Sequence, residues 1–109
     1  MGAMIVISTY PNKKSVLKTA NVVIKKQLAA CVNFTKINSI YIWKGKMEKT
    51  EEFLALFKTT TKTSLPLKTE IKKLHPYQIP EIAEIKINSM NKSYIDWLVQ
   101  STRQNKSQK

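Results

Sequence analysis

The side chains with the widest chemical repertoire in this sequence are a single histidine, a single cysteine and a few carboxylates. His75-Pro76-Tyr77-Gln78-Ile79-Pro80-Glu81 carries an imidazole, a phenol and a carboxylate on one short segment. Its two prolines exclude helix and bias the residues before them toward extended backbone, so the segment reads as a stiff turn. Imidazole and thiolate suit copper and zinc, and carboxylate suits harder ions. His75, Glu81 and Cys31 are therefore the candidate metal ligands. The spacing of His75 and Glu81 matches no metal motif, so one chain alone does not specify a four-ligand site. Each residue also has a structural reading. His75 at a helix end suits a hydrogen-bonded corner, Cys31 in an Ala-Ala-Cys-Val strand suits a small buried apolar side chain, and Glu81 suits an ion pair with lysine.

Catalysis finds less support. Cys31 and His75 are a conceivable nucleophile and base, but nothing in the sequence orients the imidazole. Two glycines in 109 residues leave no phosphate-cradling loop. The expectation is a protein that is not an enzyme.

The net charge of +12, with a pI near 9.9, raises the question of a polyanionic partner. The lysines are scattered, however, and Arg103 is the only arginine. Specific phosphate and base reading favours arginine forks, so no nucleic acid is expected. A lone cysteine excludes an internal disulfide and suits a reducing compartment. No apolar run reaches the roughly 18 residues of a membrane helix. A cytoplasmic protein with no membrane partner is the expectation.

The elements that must hold these residues follow from periodicity. Met4 to Thr9 reads as a buried strand, and Asn12 caps a helix whose stripe is Val16, Leu17, Ala20, Val23, Ile24 and Leu28. Leu28 to Trp43 is extended, with Lys36 and Asn38 interrupting one apolar parity and predicting a bend or bulge. Lys44-Gly45 is a hairpin turn, and the return strand runs from Met47 to Thr60. Within it, Phe53 to Phe57 is apolar at both parities, as in strands buried on two faces. Lys58 in that strand needs a carboxylate partner, for which Glu81 is a candidate. Ser64 and Pro66 open a second helix that turns Leu67, Ile71 and Leu74 inward. Ile82 to Ile87 alternates as a half-buried strand, and Asn91 starts a short helix with Tyr94, Ile95, Trp97 and Leu98.

This order predicts an α+β, ferredoxin-like (split βαβ) fold, with an antiparallel sheet and both main helices on one face. Residues 1–100 form one domain and 101–109 a polar tail. The opposite face is left uncovered, yet the Phe53 to Phe57 run needs cover on both sides. Self-association resolves this, so a homo-oligomer is expected.

Leu28-Ala29-Ala30-Cys31-Val32-Asn33, Ser39 to Lys46, Leu56 to Thr60, His75 to Ile82 and Tyr94 to Leu98 together resemble the CutA divalent-ion tolerance proteins, block by block and in order. The resemblance implies a homotrimer. It places Cys31, Asn33, Trp43, Lys58, His75, Tyr77, Glu81 and Trp97 near a cleft between subunits. It implies a non-enzymatic role in tolerance to divalent metal ions such as copper. Some relatives carry a proposed copper-ligating cysteine where this sequence has Ser8, which weakens the case for copper. The trimeric fold is also similar to that of the PII signalling proteins, which leaves two alternatives: a binding module for a small anionic ligand, with Lys58 as counter-charge, and a structural trimer that scaffolds a partner.

Overall fold

The structure is a computed structural model that describes residues 2–102. The chain runs β1 (Ala3–Tyr10), α1 (Lys13–Lys25), β2 (Cys31–Trp43), β3 (Lys46–Thr60), α2 (Ser64–Leu74), β4 (Ala83–Lys86) and α3 (Lys92–Ser101). The four strands form one antiparallel sheet in the order β2-β3-β1-β4. This is the expected ferredoxin-like arrangement.

Strand parity decides which residues meet the helices. Val6 pairs with Phe57 and Ser8 with Ala55, and all are fully buried. Val6, Ala55 and Phe57 form one core with Val16 and Val23 of α1 and Leu67 and Ile71 of α2. Both main helices therefore lie on one face. The alternate parity (Ile5, Ile7, Leu54, Leu56, Ala83, Ile85) lines the other face.

Asn12 caps α1, its Oδ1 accepting from Ser15 N–H at 2.8 Å. The expected stripe needs two corrections. Leu17 and Ile24 are more than a third exposed, and Thr19 is buried in their place. Its hydroxyl is satisfied within the helix by donating to the Ser15 carbonyl at 3.2 Å. Leu28 lies beyond the helix. Gln27 turns left-handed (φ 59), and Leu28 N–H bonds the Val23 carbonyl at 2.9 Å. That Schellman-type stop delivers Leu28 to the core without a further helical turn.

The hairpin turns at Lys44 (φ 52) and Gly45 (φ 80), the left-handed pair of a type I′ turn. The predicted bulge at Lys36 and Asn38 is absent. The β2–β3 register is continuous from Cys31↔Lys58 to Trp43↔Lys46. Polar residues are tolerated there because this half of the hairpin extends past the helices, where Ile40 and Ile42 are 68% and 65% exposed.

In β4, the register decides which parity meets the helices. Val6 faces the helices and pairs with Glu84, so Glu84 lies on the helix side. There it accepts from Ser64 and pairs with Lys68 at 2.8 Å. The apolar parity, Ala83 and Ile85, faces away from the helices. α3 covers one end of that free face, with Tyr94 beneath the Lys58 ammonium at 5.6 Å. It continues through Ser101, and Thr102 is buried, its hydroxyl donating to the Leu98 carbonyl at 2.8 Å. The rest of the expected tail, 103–109, lies outside the described residues.

Candidate functional site

Helix α2 stops where Pro76 forbids another turn, and His75 is its extended C-cap (φ −72, ψ 134). The imidazole then folds back against β1. Nε2 lies 2.8 Å from the Thr9 carbonyl and 3.1 Å from Ser8 Oγ. Nδ1 accepts the Tyr77 N–H at 3.1 Å. A carbonyl only accepts and an N–H only donates, so Nε2 carries the proton and Nδ1 does not. The ring stacks on Tyr10, with centroids 4.3 Å apart and planes 18° from parallel. Burial is the main cause that holds the His75 pKa below its ordinary value of 6.5, with the Thr9 carbonyl and the Glu52 charge pulling the other way. His75 is a closed corner, both nitrogens used.

Tyr77 crosses from that corner to the free face. Its hydroxyl donates to Glu52 Oε2 at 2.5 Å. Burial, then the Glu52 hydrogen bond and charge, push the phenol pKa upward. Glu52 is only 7% exposed. Around this pair lies a cleft of about 420 Å³. The hairpin contributes Tyr41 and Trp43 to its wall, β1 contributes Thr9, and the turn contributes Gln78, Ile79 and Glu81.

The charges of this cleft are unusual for the chain. Glu51, Glu70, Glu84 and Asp96 each pair with a lysine. Glu48, Glu52 and Glu81 have no lysine within ion-pair distance among the described residues. Buried carboxylates ordinarily carry a counter-cation, so a buried Glu52 without one, in a protein of net charge +12, leaves a local negative site.

The expected site residues divide into two groups. Trp43, Tyr77 and Glu81 line the cleft, with His75 behind it. Cys31, Asn33, Lys58 and Trp97 belong to the far end of the sheet, where Cys31 pairs with Lys58 and its Sγ lies 3.7 Å from Asn33 Oδ1. Lys58 and Glu52 are six residues apart on β3, roughly 20 Å at the rise of a strand. Lys58 does not meet Glu81 in an ion pair; it sits over the Tyr94 ring, and Trp97 packs beside Tyr94 at 5.3 Å. His75, Glu81 and Cys31 do not converge, and among the described residues no three His, Cys, Asp or Glu side chains cluster as metal ligands. A soft-metal site built from that trio does not fit a single subunit.

Glu52, Thr9, Tyr41, Gln78 and Ile79 were not anticipated. A signal for Glu52 existed: it is a charge at the parity of Leu54 and Leu56, where an apolar residue belongs.

Comparison with known proteins agrees with this architecture. The family model described as CutA1 divalent ion tolerance protein matches residues 4–101. The divalent-cation tolerance protein CutA of Thermotoga maritima is 38% identical over 98 residues, covering 90% of this chain and 97% of its own length. The crystal structure of CutA1 from Oryza sativa superposes with a TM-score of 0.90 at 35% identity, covering 96% of this chain and 97% of that one. A protein from Archaeoglobus fulgidus, described as a periplasmic divalent cation tolerance protein CutA, gives 0.89 at 31% identity, covering 93% and 99%.

Proposed function

The chain belongs to the CutA1 divalent ion tolerance protein family, and from that premise we propose that it is a non-enzymatic homotrimer that holds divalent metal ions at the cleft of Glu52 and Glu81. The observation that carries this reading is the buried Glu52 with no counter-cation beside it. Two carboxylates and the neighbouring Thr9 can hold a divalent ion that keeps several of its waters, as magnesium-type sites do. His75 acts behind the site: its ring fixes the Tyr77 backbone, and Tyr77 fixes Glu52. Cys31 enters the coordination of copper only if a neighbouring subunit supplies it. The charge of the cleft favours a cation over the small anion of the alternative reading.

The trimer draws support from the hairpin. Ile40, Ile42 and Met47 are each about two-thirds exposed, and Ile85 is 45% exposed. Ile40, Ile42 and Met47 share one parity of the hairpin arm, and a stable monomer rarely leaves such a patch in water. Residence in the cytoplasm rests on the single Cys31, and no helix among the described residues is long and apolar enough to cross a membrane. The absence of catalysis rests on His75, whose nitrogens are both engaged within the chain.

Native mass spectrometry with copper(II), zinc and magnesium tests both parts. The expected result is a trimer that gains a whole number of ions, with uptake lost in Glu52→Gln and Glu81→Gln and retained in Cys31→Ser. A trimer that takes up no ion, or uptake unchanged in both glutamine variants, rejects the site.

A further inference from the structure

A divalent ion uses the carboxylates of the cleft but not its walls. Tyr41, Trp43 and Tyr77 present aromatic side chains to the same space as Glu52 and Glu81. A space of about 420 Å³ is far larger than an ion needs and falls in the range of small-molecule sites. Aromatic faces carry negative charge at their centres and attract cations that shed water easily, which N-alkylated ammonium groups do and small metal ions do not. The Trp43 ring already has a cation beside it, the Lys44 ammonium lying 5.8 Å from its centroid. Lys44 is exposed, so a ligand can displace it at little cost. Glu52 points the same way. The residue is 7% exposed and lines the cleft, Oε2 is taken by Tyr77, and Oε1, without a partner among the described residues, keeps access to the cleft, where a ligand can reach it.

We propose that the cleft between the hairpin and the His75–Glu81 turn binds a small organic cation of the alkylammonium class, held by the Glu52 and Glu81 carboxylates and enclosed by Tyr41, Trp43 and Tyr77. This rests on the reading of the cleft as a cation site and adds the class of ligand for which its walls are built. The carboxylates supply the counter-charge, and the rings supply selectivity for a cation with an apolar surface over a hydrated one.

Isothermal titration calorimetry on the full-length protein tests this with tetramethylammonium chloride, its uncharged analogue tert-butanol, and copper(II) in separate titrations. Saturable binding of tetramethylammonium with none of tert-butanol is expected. Trp43→Leu keeps an apolar wall but removes the ring, and should weaken tetramethylammonium binding about tenfold. Glu52→Gln and Glu81→Gln should each weaken it at least as much. Glu81 is exposed, so its variant reports on binding even where a change at Glu52 disturbs folding. Equal binding of tert-butanol, no tetramethylammonium heat, or unchanged affinity in Trp43→Leu and Glu81→Gln overturns the proposal. Copper binding without tetramethylammonium binding rejects this inference and leaves the metal reading standing. The converse result rejects the metal reading alone.

Discussion

On the helix-covered face of the sheet, Val6, Ser8, Tyr10, Ala55 and Phe57 have no solvent exposure. On the other face, their neighbours in the same strands, Ile5, Ile7, Leu54 and Leu56, stay half-buried, and Ile85 is 45% exposed. The free-face set is no less apolar than the covered one, so the difference in burial comes from what lies above them. The covered face spends its side chains on stability. The free face holds the buried carboxylate without a counter-cation and the aromatic cleft, whereas the exposed Ile40, Ile42 and Met47 keep the helix-side parity on the arm beyond the helices. Local stability and binding capacity are thus separated by strand parity.

The sharpest test of that contrast is a pair of adjacent truncations. Phe57→Ala should cost about 3–5 kcal/mol of unfolding free energy, as for other fully buried phenylalanines. Leu56→Ala should cost clearly less at protein concentrations that keep the chain monomeric, as read by urea denaturation. If Leu56→Ala becomes equally costly at high concentration, the free face is covered by association. If the two match at every concentration, the contrast between the faces is broken.

The next effect belongs to the corner where the faces meet. His75→Ala should cost about 2 kcal/mol, because it leaves the Thr9 carbonyl and the Tyr77 N–H without partners. It should also change the pH profile. The folded-state pKa of His75 is depressed, so its contribution is fully present above the unfolded value of 6.5 and is lost as pH falls from there through the folded pKa. Melting curves of the parent protein should therefore decline across that window, and those of His75→Ala should decline less steeply.

A smaller change is expected for Tyr77→Phe, about 1 kcal/mol, because water in the cleft can replace the lost hydroxyl at Glu52. Metal uptake measured on the same variant should fall if Tyr77 positions Glu52. Gly45→Ala should cost about 1 kcal/mol through its left-handed backbone alone, since no atom lies within 4 Å of the added carbon. Its effect should be confined to the hairpin and leave the helix-covered core unchanged in hydrogen exchange.

Much of the fold was legible because its punctuation is local. Lys44-Gly45, Asn12 and Pro76 each act on their own backbone, and each sits where the chain turns. The direction of β4 was not legible, because alternation separates two parities without saying which meets the helices. Lys36 and Asn38 suggested a bulge because polar residues at an apolar parity ordinarily disturb a strand; here the helices do not reach that far along the hairpin. The candidate site was only half legible. Tyr77 and Glu81 share one turn and were visible together with Trp43. Glu52 stood out locally as a charge at an apolar parity, but the phenol that engages it is brought by tertiary folding, which no local pattern records.

The uninterrupted β2–β3 register also has a kinetic consequence. Hairpins of adjacent strands close on a timescale of about 1–10 μs, and this one needs no residue outside Cys31–Thr60. The cleft requires Thr9 and the His75–Glu81 turn as well, and such distant closures are slow. The arm with Ile40, Ile42 and Met47 is therefore formed, and able to find another chain, before the cleft exists. Refolding should yield associated chains whose binding capacity lags behind their assembly.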